Sequence, residues 1–234
     1  MQVASKPRGL PAAAVRTVLF GAMAVLGGAA LVHLARYVLL IVNRHTLLNP
    51  VLAGTAFWLG ALTSLAAIAA VIAGAVTLTR WLIARRAAAF AYRGQPEPRP
   101  GWSLWAGCLV PVVNLIWAPV FAIELAVAEE SYRRLRKPIT VWWILWILST
   151  MVSVFAIAGS RTEAAQGIAD NTLTVTFAYL LAVAVVAAAM RVFEGFERKP
   201  VERPVHRWVV VPDDGQPAPA SAVAVEPEGQ DPAA

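Results

Sequence analysis

"GWSLWAGCLVPVVNLIWAPVFAIELAVAEESYRRLRK" occupies residues 101–137 and decides how many times this chain crosses a membrane. The stretch begins as an apolar run, but Pro111, Asn114 and Pro119 interrupt it, and Glu124 lies in its second half. A proline lacks the N–H that a helix uses and disfavours helix at the residue before it. The pattern therefore predicts two short helices separated by a break.

The second of these helices is expected to run from Pro119 and to end at Pro138. Asn114 is expected to cap it or to bond backbone groups that the break frees. Two pairs of opposite charges spaced i, i+4 favour its C-terminal part. They are Glu129 with Arg133 and Glu130 with Arg134.

The composition is that of a membrane protein. Of the 234 residues, 59% are hydrophobic and 15% are charged, whereas soluble domains are about 45–50% apolar and about 25% charged. The single cysteine, Cys108, excludes an internal disulfide and a metal site made of cysteines alone. It lies in an apolar run and is interpreted as a small buried hydrophobic residue.

Four apolar runs are long enough to cross a bilayer, which requires about 20 helical residues. They cover residues 17–42, 55–79, 141–159 and 173–193. None alternates with the period of two that a barrel strand requires, so the fold class expected for residues 17–193 is an all-α membrane domain. The first run is longer than the apolar core of a signal peptide and is interpreted as a retained span, with cleavage as the alternative.

The positive charges between the runs predict the orientation, because cytoplasmic flanks collect lysine and arginine. They are dense in residues 1–16, in the connection after the second run, just before the third run and in the tail, and sparse in residues 43–54 and 160–172. Both termini are therefore expected in the cytoplasm, and the two sparse loops outside it. Such a chain is expected to be a multi-pass protein of the plasma membrane.

The same charges predict the path of residues 101–137. Both flanks of the stretch are basic and are expected on the cytoplasmic side, whereas a single crossing would place one flank outside. The stretch is too short to cross twice. We therefore expect a re-entrant or interfacial helix–break–helix between the second and third of four transmembrane helices, packed against them because irregular backbone at membrane depth must be buried or face water.

The net charge of +6 does not indicate nucleic-acid binding, since the basic residues flank apolar runs. The expected partners are the lipid bilayer, with anionic lipids at the cytoplasmic face, and a possible membrane protein. The residues expected at the membrane interface are Arg85, Arg86, Arg133, Arg134, Arg136, Lys137, Trp142 and Trp143.

The C-terminal part divides into two segments. Residues 194–211 are expected to form a cytoplasmic juxtamembrane segment, in which the apolar cluster VHRWVVV, residues 205–211, either packs on the protein surface or contacts a partner. Residues 212–234 are rich in proline, alanine and acidic residues. That composition predicts a disordered tail.

The run "RPGWSLWAGCLVPVVNLIWAPVFAIELAVAEES", residues 99–131, resembles the motif of an uncharacterised bacterial membrane family that is common in actinobacteria, domain of unknown function 4328. The family usually has a bulky residue where Gly107 or Cys108 stands. The resemblance covers roughly residues 17–193 and implies two spans before the motif, two behind it and no assigned activity. The matching positions are Trp105, Pro111, Asn114, Leu115, Pro119 and Glu124.

The sequence carries no motif of a zinc peptidase, a serine hydrolase or a nucleotide-binding loop. Its three histidines, His33, His45 and His206, fall on opposite sides of the expected topology, so no shared metal site and no cofactor are expected. The protein is therefore expected not to be an enzyme.

Few ionisable residues lie at membrane depth. His33 and Arg36, near the outer end of the first run, are interpreted as reaching the outer headgroups. Glu124 either pairs with a basic residue at the cytoplasmic interface or forms a ligand, ion or proton site beside the break. The candidate basic partners are Arg85, Arg86 and Arg134.

These observations favour a non-enzymatic membrane component that binds a protein or lipid partner. The alternative is a small transporter or channel that uses the broken element and Glu124. A membrane enzyme is the third and least favoured class.

Overall fold

The computed structural model describes residues 10–47, 49–162 and 164–198, and these residues form an all-α membrane domain without strands. Four long apolar helices and a broken pair of shorter helices between the second and third confirm the expected fold class. The expectations for the tail and for residues 205–211 lie outside the described residues. The helices are α1 (Ala12–Val42), α2 (Pro50–Tyr92), α3 (Gly101–Leu109), α4 (Val113–Ala128), α5 (Tyr132–Gly159) and α6 (Ala165–Glu197).

The four long helices extend past the apolar runs that predicted them. The largest extension is in α2, whose 43 residues correspond to about 65 Å at 1.5 Å per residue. It begins with Pro50 at its first position and with Asn49 as its N-cap, whose side chain accepts a hydrogen bond from Val51 N at 2.9 Å. An apolar run marks only the part of a helix that contacts lipid or core, so it underestimates helices that continue into polar sequence.

The spans pack in the order α2–α1–α6–α5, with the largest contacts between neighbours in that row. We call the end at which α1 and α5 begin and α2 and α6 end the basic end, and the opposite end the far end. Polar contacts tie α1, α2 and α5 to the end of α6 here: Arg16 with Glu194 at 3.9 Å, Arg85 with Glu197 at 2.6 Å, and Arg134 with the Gly195 carbonyl at 3.0 Å.

The hydrophobic core lies in the half of the bundle next to the basic end. All six helices contribute to it, with Leu19 of α1, Phe121 of α4, Leu135 of α5 and Phe193 of α6 each at most 1% exposed. Toward the far end the described helices instead expose large apolar side chains such as Phe155, at 70%. Such exposure is expected where a helix faces lipid, since lipid tails are as apolar as leucine.

Helices α3 and α4 form a hairpin that enters the bundle from the basic end and returns to it. Leading into α3, Arg99 pairs with Glu124 near the end of α4, so both ends of the hairpin lie together. Near the start of α4, the Leu115 carbonyl accepts a hydrogen bond from Trp143 Nε1 at 2.7 Å. Trp143 is 11 residues into α5, about 16 Å along it. The hairpin therefore reaches well into the bundle without crossing it, and its contacts lie on α2 and α5.

The break between α3 and α4 is a tight turn at Val112. The Val113 N–H donates to the Pro111 carbonyl at 2.8 Å, and Val112 has φ 69° and ψ −50°. These values describe a γ-turn with positive φ, which is rare and strained for a β-branched residue. Two expectations are wrong here. Helix α4 begins at Val113 and not at Pro119, and Asn114 is not its cap, because Val112 occupies the N-cap position and no side chain caps it.

Pro119 lies inside α4, where its missing N–H leaves the carbonyl of Leu115 without its helical donor. The hydrogen bond from Trp143 Nε1 reaches this same carbonyl. The indole of α5 therefore replaces the donor that the proline removes, and helix α4 continues through the proline. This bond also fixes the depth of α4 against α5.

Helix α4 ends ten residues before the expected position. Ser131 N donates to the Ala126 carbonyl at 2.8 Å and Glu130 N to the Val127 carbonyl at 3.1 Å, while Glu130 has φ 57°. This is the Schellman arrangement, which ends a helix with one left-handed residue. The predicted end at Pro138 is wrong, because Pro138 lies within α5, which begins at Tyr132.

The expected i, i+4 pairs between residues 129–130 and 133–134 are also wrong, because the turn at residues 129–131 separates the two groups into different helices. Glu129 pairs with Arg85 instead, at 2.6 Å, and Glu130 lies 3.9 Å from Arg93. Glu129 and Glu130 therefore connect the hairpin to arginines at the end of α2, whereas their i, i+4 spacing had predicted pairs within one helix.

Candidate functional site

A buried arginine at the basic end lies at the centre of a group of ion pairs. The side chain of Arg86 is 0% exposed, its Nη2 lies 2.7 Å from Glu97 Oε1 and 3.0 Å from Glu124 Oε2, and its Nη1 donates to the Phe121 carbonyl at 3.0 Å. Arg99 binds Glu124 through two hydrogen bonds, one of them from Nε to Oε2 at 3.1 Å. We call Arg86, Glu97, Arg99 and Glu124 the Arg86 cluster.

Aromatic rings complete the surroundings of the two guanidinium groups. The ring of Phe121 lies 5.6 Å from the Arg86 guanidinium carbon and 5.2 Å from that of Arg99, and Trp117 lies 5.0 Å from the latter. Such contacts favour a cation by about 0.5–2 kcal/mol. Phe121 also limits the space at position 107, because a Cβ at Gly107 would lie 2.6 Å from its ring. A bulky residue at position 107 would require this ring to move.

The electrostatics of the cluster keep Glu124 ionised. Burial opposes the charge of this carboxyl group, which lies outside the four spanning helices, but the hydrogen bonds and charges of Arg99 and Arg86 outweigh burial and hold the pKa of Glu124 below its ordinary value of 4.5. The hydrogen bond to Glu124 raises the pKa of Arg99 above its ordinary value. A carboxylate with a lowered pKa carries no proton near neutral pH, so the arrangement is that of a structural ion pair.

Two atoms of the cluster, Arg86 Nε and Glu97 Oε2, are buried and make no hydrogen bond to the described part of the chain. Buried polar atoms without partners reduce the net stabilisation that an ion pair gives. The Arg86 cluster therefore contributes less to stability than its number of ion pairs suggests, and its main effect is to fix the hairpin in one position.

Arg85 forms a second cluster on the neighbouring face of α2. Its guanidinium binds Glu129 at 2.6 Å, Glu197 at 2.6 Å and the Phe196 carbonyl at 2.6 Å. Trp81 Nε1 donates to the same Glu197 at 3.2 Å. This cluster joins α2, the hairpin end and the end of α6.

The remaining predicted interface residues differ in their surroundings. Arg134 donates to the Gly195 carbonyl, and Trp143 to the Leu115 carbonyl. Trp142 stacks with Trp146, with ring centroids 5.1 Å apart. Arg133, Arg136 and Lys137 are exposed and form no ion pair with any described residue.

An apolar cavity of about 260 Å³ lies between the hairpin and the spans. All helices contribute to its walls, including Cys108 of α3, Asn114 and Ala118 of α4, and Trp146 of α5. Val71 of α2 also lines it and is 45% exposed, so the cavity communicates with the surface of the bundle among the spans. The side-chain amide of Asn114 makes no hydrogen bond within the described chain and is one of the few polar groups in this lining.

The structure thus brings together Pro111, Asn114, Pro119 and Glu124 in one hairpin, whose α3 also carries the half-buried Trp105. Three residues of the clusters were not predicted: Glu97 and Glu197, which pair with Arg86 and Arg85 of α2, and Arg99, which pairs with Glu124 of α4. The sequence offered one signal for these three residues, which is that each lies close to the end of a long helix. Among the described residues no group of three or more histidine, cysteine or acidic side chains is placed to hold a metal ion.

The comparisons with known proteins give one result. A family model described as a domain of unknown function (DUF4328) matches residues 44–198, which include α2 to α6 and therefore both clusters, the hairpin and most of the cavity wall. No curated protein and no solved structure matches the chain.

Proposed function

The chain belongs to the family of domain of unknown function DUF4328, and on that premise we propose that it is a non-enzymatic plasma-membrane protein that binds a phospholipid from the cytoplasmic leaflet. One acyl chain would occupy the apolar cavity, and the anionic headgroup would contact the exposed cations at the basic end. The cavity is the observation that carries this proposal.

The lining supports an acyl chain as the occupant. The walls are apolar side chains from all six helices, and the opening beside Val71 lies among helices long and apolar enough to span a membrane. Ligand sites in proteins are typically apolar clefts with a few placed polar groups. Here the polar groups include the amide of Asn114, which suits an ester carbonyl or a hydroxyl.

The charges support the cytoplasmic side. Arg133, Arg136 and Lys137 at the start of α5 have no acidic partner within residues 10–47, 49–162 and 164–198. The arginines of the two clusters, in contrast, each pair with an acidic side chain. Exposed cations beside a span favour the cytoplasmic side and attract anionic lipid by about 1 kcal/mol each. The basic end, and with it both termini, would then face the cytoplasm.

The test is lipid retention by the purified full-length protein. Ala75 lines the cavity on α2, while Ala73 on the same helix is exposed and lies outside the lining. We expect Ala75→Phe to reduce the phospholipid retained per chain at least threefold, measured by mass spectrometry after detergent purification, because the ring fills the acyl-chain space.

Ala73→Phe is the matched control and should retain the wild-type amount of lipid. Both variants must elute as folded protein on size exclusion. Equal lipid retention in the two variants would disprove the proposed cavity occupant.

A transporter or channel that uses the hairpin and Glu124 is the alternative. It requires a solute flux in liposomes that Glu124→Gln abolishes at an unchanged amount of folded protein. The two arginines that bind Glu124 support a structural role instead. We therefore expect this variant to lower the amount of folded protein and to leave the flux per folded chain at background.

A further inference from the structure

Arg36, on α1, lines a cavity at the far end of the bundle. It lies six residues before the end of α1 at Val42 and forms no ion pair with any described residue. Its guanidinium carbon is 5.5 Å from the centroid of the Phe57 ring on α2. A cation within a span is costly and commonly marks a polar path or ligand site.

His33 lies one turn earlier and is 6% exposed. Its Nδ1 is 3.0 Å from the Ala29 carbonyl, which can only accept, so Nδ1 carries the proton and Nε2 is left without a partner among the described residues. Nε2 of His33 and Nη1 of Arg36 both point toward Gly60 of α2, being 3.8 Å and 3.5 Å from the position that a Cβ there would occupy. The two polar groups therefore converge.

These groups line a polar cavity of about 350 Å³ at the far end, between α1, the end of α5 and the start of α6. Two further donors face it without a hydrogen bond to the described chain: the amide of Asn171 and the hydroxyl of Thr162. The hydroxyls of Ser160 and Thr172 also line it, but each donates to a backbone carbonyl. No described acidic side chain is part of the lining.

We propose that this far-end cavity binds a phosphate group, with Arg36 as the charged donor and with Asn171 and Thr162 as neutral donors. A guanidinium presents a planar fork of N–H donors that matches a phosphate oxyanion. The phosphate comes either from the headgroup of a lipid in the adjacent leaflet or from a soluble phosphate. This site is separate from the proposed lipid site at the basic end, and either can fail without the other.

The test uses full-length protein in phosphate-free maltoside detergent. In the first arm inorganic phosphate is titrated, with chloride as the anion control, and binding is followed by the rise in melting temperature. In the second arm the protein is extracted from phospholipid and washed, and the phosphorus retained per chain is measured by ³¹P NMR.

Arg36→Gln should weaken phosphate binding at least tenfold in the first arm or remove one phosphorus per chain in the second. Arg44→Gln, which changes an exposed arginine outside the cavity, should leave both readouts unchanged. The arm that responds identifies the source of the phosphate.

Asn171→Asp provides a second variant if Arg36→Gln does not fold. It places a carboxylate in the same cavity without a change in shape, so it should raise the melting temperature without phosphate and abolish the further rise with phosphate. The proposal is overturned if neither arm differs between wild type and either variant, or if Arg44→Gln has the same effect.

Discussion

Replacing Glu124 with glutamine is the sharpest test of the Arg86 cluster, because it removes one charge and keeps the side-chain shape. Arg86, whose side chain is 0% exposed, would keep Glu97 at 2.7 Å but lose the carboxylate at 3.0 Å, and Arg99 would lose its bidentate partner. Hydrogen bonds to charged groups contribute about 1.5–3 kcal/mol, and removing one partner of a fully buried pair costs about 3–5 kcal/mol. Glu124 is 29% exposed and Arg86 retains Glu97, so we expect the free energy of unfolding to fall by about 2 kcal/mol.

The assay is the melting temperature of purified protein in detergent, where this loss corresponds to a fall of about 4–8 °C. Glu130→Gln is the matched control, since Glu130 lies on the same hairpin but is 89% exposed and 3.9 Å from Arg93. An exposed pair contributes about 0–1 kcal/mol. If Glu124→Gln lowers the melting temperature no more than Glu130→Gln does, the cluster does not hold the hairpin.

The pH dependence gives an independent measure of the same interaction. The pKa of Glu124 is lowered in the folded protein, so its contribution is present above the ordinary value of 4.5 and is lost as pH falls through the lowered value. The difference in melting temperature between wild type and Glu124→Gln should therefore shrink between about pH 7 and about pH 3.5. A constant difference over that range contradicts an ionised Glu124.

Two further predictions concern the backbone of the hairpin. Trp143→Phe removes the donor to the Leu115 carbonyl and should lower the free energy of unfolding by about 1 kcal/mol. In a double-mutant cycle this loss should disappear when Pro119→Ala restores the helical N–H. If the loss is the same with Pro119→Ala, the indole does not replace the donor that the proline removes. Val112→Gly should raise the melting temperature by about 2–4 °C, since it removes a positive-φ strain of about 1–3 kcal/mol at a smaller entropic cost. Val110, at φ −72°, is the control, and Val110→Gly should lower the melting temperature. A fall in both variants shows that Val112 is not strained.

The spans and the even crossing number could be predicted because both depend on composition alone. A bilayer requires about 20 apolar helical residues, and four such runs can be recognised without knowing which helices pack against each other. The basic flanks of residues 101–137 required its two ends to share a side, and the pairing of Arg99 with Glu124 places them together. Element bounds were less accurate, because Asn49, Pro50 and the Schellman turn at residues 129–131 act locally and weakly against the apolar pattern.

The partners of the charged residues could not be predicted in the same way. Arg85 and Arg86 are adjacent in sequence and both flank a span, which is the usual position of residues at the membrane interface. In the folded chain one binds Glu197, 112 residues away, and the other is fully buried against Glu97 and Glu124. Periodicity and charge counting contain no information on pairs at such separation, so lipid-facing and protein-facing arginines look alike.

The contacts in the hairpin show that most residues of the motif have a structural role and that one has a side chain available to a ligand. Pro111 forms the turn, the carbonyl that Pro119 frees is bonded by Trp143, and Glu124 is neutralised by two arginines. The side chain of Asn114 differs from these, because it has no hydrogen-bond partner in the described chain. It also lines the apolar cavity. A ligand with an ester or hydroxyl group would supply this amide with a hydrogen-bond partner. The position at which ligand chemistry is to be sought is therefore Asn114 and not Glu124, the residue that sequence alone singled out.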